Sequence, residues 1–244
     1  MYKGLTGSTL KWIAMITMFI DHVAATILVR HMLMYGATIE VYTVYDVMRN
    51  IGRVAFPIYC FLLVEGFLYT KNVYRYMGRM AVFLVLTEIP FDLAFAAKLS
   101  SWGYQSVMWT LLIGLITMWG CSLIEKKWPE NYLIQWIGFA LCLAAGMFLA
   151  YLLKTDYSYK GVIAIMAMYF FRKERKLQLL AGAVTFLCWK DPELCALLAF
   201  PLLYFYNGQR GMKMKYFFYA FYPAHLLILY LIAVILGNQF ISVI

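Results

Sequence analysis

Long apolar segments are the feature that most limits how this chain can fold. Six apolar runs are about twenty residues long, the length that a helix needs to cross a bilayer. Three shorter apolar runs lie at 161–171, 177–189 and 194–206. The six long runs are 10–33, 51–70, 76–97, 106–124, 133–153 and 217–237. Because backbone polar groups in lipid must bond within their own segment, each run is expected to be helical. We therefore predict an all-α, polytopic transmembrane helix bundle with about nine spans.

Composition excludes the other broad classes. Of the 244 residues, 64% are hydrophobic and only 14% are charged, whereas soluble domains carry about 25% charged residues. So apolar a chain is neither a soluble globule nor a disordered segment. No linker or hydrophilic insertion interrupts it, which predicts one integral membrane domain over residues 1–244, in contact with membrane lipids.

The basic excess is expected to orient the chain rather than to bind nucleic acid. The formal net charge is +9, from 21 lysine and arginine residues against 12 acids. With the N-terminus in the cytoplasm and nine spans, two-thirds of the basic residues fall on the cytoplasmic side. That asymmetry is what the positive-inside rule requires. It predicts a multi-pass membrane protein with a cytoplasmic N-terminus.

Five ionisable side chains lie well inside predicted spans, where each one is costly and calls for a partner or a function. Their positions are Asp21, His22, Glu88, Asp92 and His225. The two histidines lie at similar distances from the cytoplasmic starts of their helices, about 16 and 15 Å. Glu88 and Asp92 are four residues apart and share a helix face. A mid-membrane cluster of histidines and carboxylates is therefore geometrically allowed.

Structural roles are open for the same residues. Asp21 is suited to pairing with Arg53 or capping a helix, or equally to orienting a catalytic histidine. Each histidine is also suited to a plain interhelical hydrogen bond. Arg49 and Arg53 form either a snorkelling pair or an anion clamp, and we favour the clamp.

Several site types have no support in the sequence. No metal-ligand spacing, Walker loop or dinucleotide glycine pattern occurs. We therefore predict no metal site.

A set of short motifs lies in order along nearly the whole chain. The motifs are Leu10-Lys11 with Ile20-Asp21-His22, Arg49 to Pro57, Glu65-Gly66, Thr70 to Asn72, Tyr76 with Arg79, Glu88 to Asp92, Asp156-Tyr157 with Gly161, Tyr206 to Gly208 with Gly211, and Phe218 to Leu226. Together these motifs resemble the TraX family of integral membrane proteins. The namesake of this family acetylates the N-terminus of F pilin, and the family is similar to a wider group of transmembrane acyltransferases.

The resemblance implies an enzyme of the bacterial cytoplasmic membrane that takes an acyl group from an acyl-CoA on the cytoplasmic side, with acetyl-CoA as the expected donor. The acceptor would be an amine or hydroxyl in or across the membrane, on a peptide N-terminus, a glycan or a lipid. The related acyltransferases favour a histidine in an early span, which corresponds here to His22. No acceptor carries over from the resemblance.

This chemistry suits the candidate residues. Acyl transfer needs a base or a nucleophile and donors for the oxyanion, so we expect His22 to be the base or a transient acyl carrier. Glu88 or Asp92 would orient it, His225 would be a second acid–base group, and Asp21 would belong to the same cluster. Substrate-binding candidates are Arg49, Arg53 and Glu65. The phosphates of coenzyme A need basic partners, and the candidates are Arg75, Arg79, Arg210, Lys213 and Lys215. The alternative is that these basic residues only set the orientation of the chain in the membrane.

Two other functions fit the sequence. A proton-coupled small-molecule transporter would use Asp21, His22 and Glu88 as a relay. A scaffold subunit would use the polar residues only to hold helices together. A homodimer is compatible with the sequence, which leaves the oligomeric state open.

Overall fold

A computed structural model describes residues 4–189, 194–213, 215–237 and 241–244, without the side chains of Lys215 and Tyr216. The described residues form helices joined by short loops, which confirms the all-α class. The helices are α1 Gly7–Val23, α2 Val29–Tyr35, α3 Ile39–Gly52, α4 Ala55–Tyr69, α5 Val73–Ala96, α6 Val107–Lys127, α7 Tyr132–Leu152, α8 Ser158–Phe170, α9 Arg175–Leu187, α10 Ala199–Tyr204 and α11 Lys215–Ile235, with a π-helical turn Ala24–Leu28 and a 3-10 turn Leu194–Leu198.

Counted through their short interruptions, these helices make nine segments in the described part of the chain, one for each predicted run. Five are long and apolar enough to cross a membrane: Gly7–Tyr35, Ile39–Tyr69, Val107–Lys127, Tyr132–Leu152 and Phe217–Ile235. They indicate a multi-pass membrane protein. The orientation, with a cytoplasmic N-terminus, stays a prediction.

The helical segment that corresponds to the predicted second span, 51–70, begins twelve residues before that apolar run. Helix α3 begins at Ile39, where the Thr38 side chain accepts a hydrogen bond from the backbone N–H of Val41. A turn at residues 53–54 separates α3 from α4. Most of α3 lies outside the predicted apolar runs because the helix carries Glu40, Asp46 and Arg49. These charges lower the hydropathy of α3 but do not weaken its N-terminal cap.

The chain divides into two compact units. The first contains Met1–Tyr59, Val85–Ser101 and Asp191–Ile244, and the second contains Cys60–Leu84 and Trp102–Lys190. The single-domain organisation predicted for residues 1–244 stays a prediction.

In the first unit, α1 packs against α3 and α11. A loop of this unit holds the start of α1: the N–H groups of Gly7 and Ser8 donate to the carbonyls of Gln209 and Arg210. These bonds satisfy helix N-terminal donors that have no partner within the helix. Gly211 ends this loop at φ +70°, and a Cβ there would overlap the hydroxyls of Thr6 and Ser8. The loop is the Tyr206 to Gly211 motif of the sequence, so that motif has a structural role in fixing α1.

In the second unit, α6, α7 and α8 pack together. Gly146 of α7 lies against Thr117 of α6, so closely that a Cβ would overlap the threonine hydroxyl. The ion pair between Arg172 and Glu125 closes one end, with N–O distances of 2.7 and 2.8 Å. At another loop, Asp156 accepts a hydrogen bond of 2.6 Å from the Tyr104 hydroxyl. The Asp156-Tyr157 motif therefore fixes a loop in this unit.

Candidate functional site

Two histidines from the first and last long helices meet inside the first unit. His22 lies on α1 and His225 on α11, and their side chains are 9% and 2% exposed. Nδ1 of His22 lies 2.7 Å from Nε2 of His225, a hydrogen-bond distance. The similar depth predicted from the sequence thus corresponds to direct contact between the imidazoles. Their roles in catalysis stay a prediction.

The hydrogen bonds assign the tautomers of the neutral pair. Nδ1 of His225 lies 2.8 Å from the Phe221 carbonyl oxygen, which only accepts, so this nitrogen carries the proton. Nε2 of a neutral His225 is then an acceptor, and it accepts a hydrogen bond from the Nδ1–H group of His22. Nε2 of His22 is left with a lone pair and has no hydrogen-bond partner among the described residues. The arrangement presents one basic nitrogen.

Aromatic rings enclose the pair. Phe95 and Tyr222 contact the His22 ring edge-on, with centroids 5.6 and 5.9 Å away. Phe221 stacks on His225 at 4.8 Å. These apolar walls limit the access of water to the imidazoles, and electrostatic interactions inside them are stronger than in water.

Helix α1 changes its winding directly after His22. Residues Ala24–Leu28 form a π-helical turn, in which the N–H of Val29 donates to the carbonyl of Ala24. The Thr26 hydroxyl donates to the His22 carbonyl at 2.6 Å and supports the turn from inside. Single π-turns within α-helices occur frequently at functional sites.

Asp21 faces α3. Its Oδ2 atom accepts a hydrogen bond of 2.6 Å from Arg49. The ion pair described for Asp21 is therefore with Arg49, one of the two arginines that the sequence singled out. Gly52 permits this approach, because a Cβ there would overlap the Asp21 side chain. Arg53 follows α3 in the turn and is half-buried. The structure therefore brings Asp21 and Arg49 together one residue from the histidine pair.

The two carboxylates of α5 differ in burial. Asp92 is 3% exposed, and its Oδ2 accepts a hydrogen bond of 2.8 Å from the N–H of Ser101. Its Oδ1 is buried and has no partner within the part of the chain described. Glu88 is half-buried. The hydrogen-bonded neighbour of His22 is His225, and the orienting role predicted for Glu88 or Asp92 stays a prediction.

The predicted coenzyme A ligands are divided between the two units. In the first unit, Arg210 and Lys213 are exposed in the loop region at the start of α1, and the Lys215 side chain lies outside the described residues. In the second unit, Arg75 is exposed, and half-buried Arg79 has an Nε atom without a partner in the described ranges. Their role as ligands stays a prediction.

Glu65 belongs to the second unit. It is 7% exposed, and its Oε1 atom lies 3.5 Å from Arg175. The guanidinium of Arg175 lies over the Phe61 ring, 4.7 Å from its centroid. The sequence does not indicate this partner for Glu65, because Arg175 is distant in sequence and lies in a cluster of basic residues.

Arg30 is a buried cation that the sequence prediction missed. Its side chain is 0% exposed, although the predicted topology counted it as a basic residue at the outer end of its span. The feature of the sequence that indicates its burial is its position inside the apolar run 10–33, eight residues after His22. Within the described residues no group of three or more His, Cys, Asp or Glu side chains is arranged to hold a metal.

Long apolar helices and a buried, hydrogen-bonded histidine pair define a multi-pass helical membrane protein with a polar interior site. The chain belongs to the TraX protein family, which matches over residues 6–233, as the motifs predicted. It is also 28% identical, over 90% of its length and 92% of the relative's, to a protein of Dichelobacter nodosus described as "Probable fimbrial assembly protein FimC, serogroup H1". No solved structure matches.

Proposed function

We propose that this protein is a membrane acyltransferase that moves an acetyl group from cytoplasmic acetyl-CoA to an amine or hydroxyl acceptor. The observation that carries the proposal is the 2.7 Å hydrogen bond between His22 and His225, with the Nε2 lone pair of His22 available. A neutral imidazole held in one tautomer is suited to general base catalysis near neutral pH. Membership of the family whose namesake is the F-pilin acetylase supports the donor.

In the proposed reaction, Nε2 of His22 takes the proton of the acceptor as its nitrogen or oxygen attacks the thioester carbonyl. The developing imidazolium keeps its Nδ1–H bond to Nε2 of His225, which in turn is held by the Phe221 carbonyl. The carbon–sulfur bond then breaks, and the thiolate of coenzyme A takes the proton back from His22. No net proton is gained or lost by the enzyme.

Charged groups of the first unit supply the remaining requirements in this proposal. Arg53 is the donor for the oxyanion that forms on the attacked carbonyl. Arg49, already paired with Asp21, holds the end of α3 against α1. The exposed Arg210 and Lys213 at the start of α1 offer partners for the phosphates of coenzyme A.

The test is acetyl transfer by the purified protein in detergent or nanodiscs. Carbon-labelled acetyl-CoA is supplied with a membrane extract and with a set of peptides bearing free N-termini, and both label transfer and thioester hydrolysis are measured. His22→Asn, which removes the Nε2 lone pair but keeps polarity and approximate size, is expected to abolish both. The matched control is His31→Asn, because His31 is the third histidine and is exposed.

Full transfer by His22→Asn would refute the assignment of the base. Absence of label transfer and of hydrolysis in the native protein would refute the acyltransferase. A proton flux across reconstituted vesicles that His22→Asn abolishes would then assign the pair to transport instead.

A further inference from the structure

Arg30 is a fully buried cation without a described counter-charge. Its Nε donates to the Ile241 carbonyl at 3.0 Å, and its Nη1 donates to the Thr26 carbonyl at 3.2 Å. Both acceptors are neutral. Within the described residues, the ionisable group that interacts with it electrostatically is Tyr230 of α11, a phenol that is neutral at physiological pH. Nη2 is buried and has no hydrogen-bond partner in the described residues.

An arginine in this condition is suited to receive an anion. A buried charge without a partner is costly. A guanidinium binds carboxylate or phosphate through two parallel N–H groups. We propose that Arg30 binds an oxyanion, a phosphate or carboxylate group, on the acyl acceptor. This inference rests on the proposed function, since it names the chemical class of the acceptor.

The position of Arg30 relative to His22 supports an acceptor site. Its Nη1 reaches back to the Thr26 carbonyl, and the Thr26 hydroxyl bonds the His22 carbonyl. The guanidinium therefore lies about one helical turn, roughly 6 Å along the axis, beyond His22. A molecule anchored there would bring an amine or hydroxyl a few bonds away toward Nε2 of His22.

Donor and acceptor approach from opposite ends of one helix in this arrangement. The exposed Arg210 and Lys213 lie near the start of α1, and Arg30 lies beyond His22 in the other direction. A coenzyme A held by its phosphates at the start of α1 thus leaves Arg30 for a second anion.

The C-terminal segment 241–244 covers this site. The Ile241 carbonyl accepts from Arg30, and the Val243 N–H donates to the Phe95 carbonyl at 2.8 Å. The Phe95 ring contacts His22. An ionised oxygen makes a stronger hydrogen bond with a guanidinium than a neutral carbonyl does. A bound oxyanion is therefore expected to take the place of Ile241 and to use the Nη2 donor as well.

The test measures thermal unfolding, which requires no acyl transfer. Purified protein in phosphatidylcholine nanodiscs is titrated with inorganic phosphate and, in a second series, with coenzyme A. It is separately placed in nanodiscs that contain phosphatidylglycerol. The variants are Arg30→Met, which keeps approximate length without charge, deletion of 241–244, and the control Lys98→Met, which removes an exposed cation.

Phosphate or phosphatidylglycerol is expected to raise the Tm of the native protein and of Lys98→Met by a few degrees. Arg30→Met should have a higher Tm without ligand, because it removes a buried unpaired charge, and should no longer respond. Deletion of 241–244 should lower the phosphate concentration needed for half the effect, because the competing carbonyl is gone. A response to phosphate alone indicates a soluble acceptor, and a response confined to phosphatidylglycerol indicates a lipid.

Two results would overturn the proposal. If Arg30→Met has a lower Tm and the native protein responds to neither probe, Arg30 only ties residues 241–244 to α1. If Arg30→Met instead loses the Tm rise that coenzyme A produces, the arginine belongs to the donor site. A protein that binds phosphate through Arg30 but transfers no acetyl group would refute the proposed function while leaving the anion site intact.

Discussion

At the scale of single residues, the pairing of His22 with His225 gives the two histidines different roles in the proposed reaction, with His22 as the base and His225 as its positioning residue. His225 is bonded on both sides, to His22 and to the Phe221 carbonyl. It therefore has no nitrogen left for a substrate. The sequence interpretation of His225 as a second acid–base group stays a prediction, and the geometry favours a role that acts through His22.

Replacing His225 should separate these two roles. His225→Ala is expected to lower kcat by about one to two orders of magnitude, as is usual for residues that orient a functional group, with little change in the KM for acetyl-CoA. His225→Gln, whose amide oxygen is able to accept a hydrogen bond from the Nδ1–H group of His22, should recover part of the loss. A second acid–base group would instead be lost equally in both variants, and one limb of the pH–rate profile would vanish. Steady-state kinetics over a range of pH make the comparison.

Gly52 offers a test of the contact between Asp21 and α3. Gly52→Ala inserts a methyl group where the Asp21 side chain lies, and it is expected to lower the stability by about 1–3 kcal/mol and to impair activity by moving Asp21. Gly78→Ala is the control, since a Cβ at Gly78 has no atom within 4 Å and alanine is the better helix former. Thermal unfolding of both variants is the measurement; equal Tm values would show that the helices separate without cost.

At the scale of elements, α1 is positioned by contacts at its start and beside His22. The loop at 207–211 holds its start, and the ion pair of Asp21 with Arg49 holds the residue beside His22. The π-turn then displaces the rest of the helix relative to a regular α-helix. His22 thus lies in a stretch of helix whose position and rotation are both constrained.

Two glycines in the loop that holds α1 provide a matched pair. Gly208 and Gly211 both have positive φ, +76° and +70°, but only at Gly211 would a Cβ overlap the hydroxyls of Ser8 and Thr6. Gly208→Ala is expected to cost about 1–2 kcal/mol from backbone strain alone, and Gly211→Ala should cost more and also reduce activity, because it moves the start of α1. Unfolding and acetyl transfer are measured together. Similar losses in the two variants would show that the loop does not position α1.

Much of the helix pattern is predictable from sequence, because apolar runs and their flanking charges mark the ends. The runs at 133–153 and 217–237 match helices to within two residues. Partner choice is less predictable. Arg49 and Arg53 lie one turn apart, and only the packing at Gly52 explains why Arg49 meets Asp21. In the sequence, Arg30 resembles a basic residue at the end of a membrane span, because no neighbouring residue indicates that residues 241–244 cover it.

At the scale of the whole molecule, α5 decides the topology. It spans Val73–Ala96 but carries four charged residues, Arg75, Arg79, Glu88 and Asp92, and is not among the five long apolar helices of the described residues. If α5 crosses the membrane as the nine-span prediction requires, the end of α6 is cytoplasmic. If only the five long helices cross, the end of α6 lies outside. The basic residues Lys126 and Lys127 at that end favour the cytoplasm.

Reporter fusions test this directly. Alkaline phosphatase, which is active only outside the cytoplasm, is fused after Trp128, and we expect it to be inactive there, whereas a fluorescent protein at the same position should be fluorescent. A fusion after Lys71 is the control, because that residue is cytoplasmic under both topologies. Active phosphatase after Trp128 would contradict the nine-span prediction.

The histidine pair joins two positions that are 203 residues apart in the chain. During synthesis His22 enters the membrane early, whereas His225 arrives only after nearly all of the remaining chain has been made. Until then His22 lacks the acceptor that fixes its tautomer. Under the proposed function, a ribosome-bound chain that stops before α11 should therefore be unable to consume acetyl-CoA, and competence for the proposed reaction would mark the completion of folding.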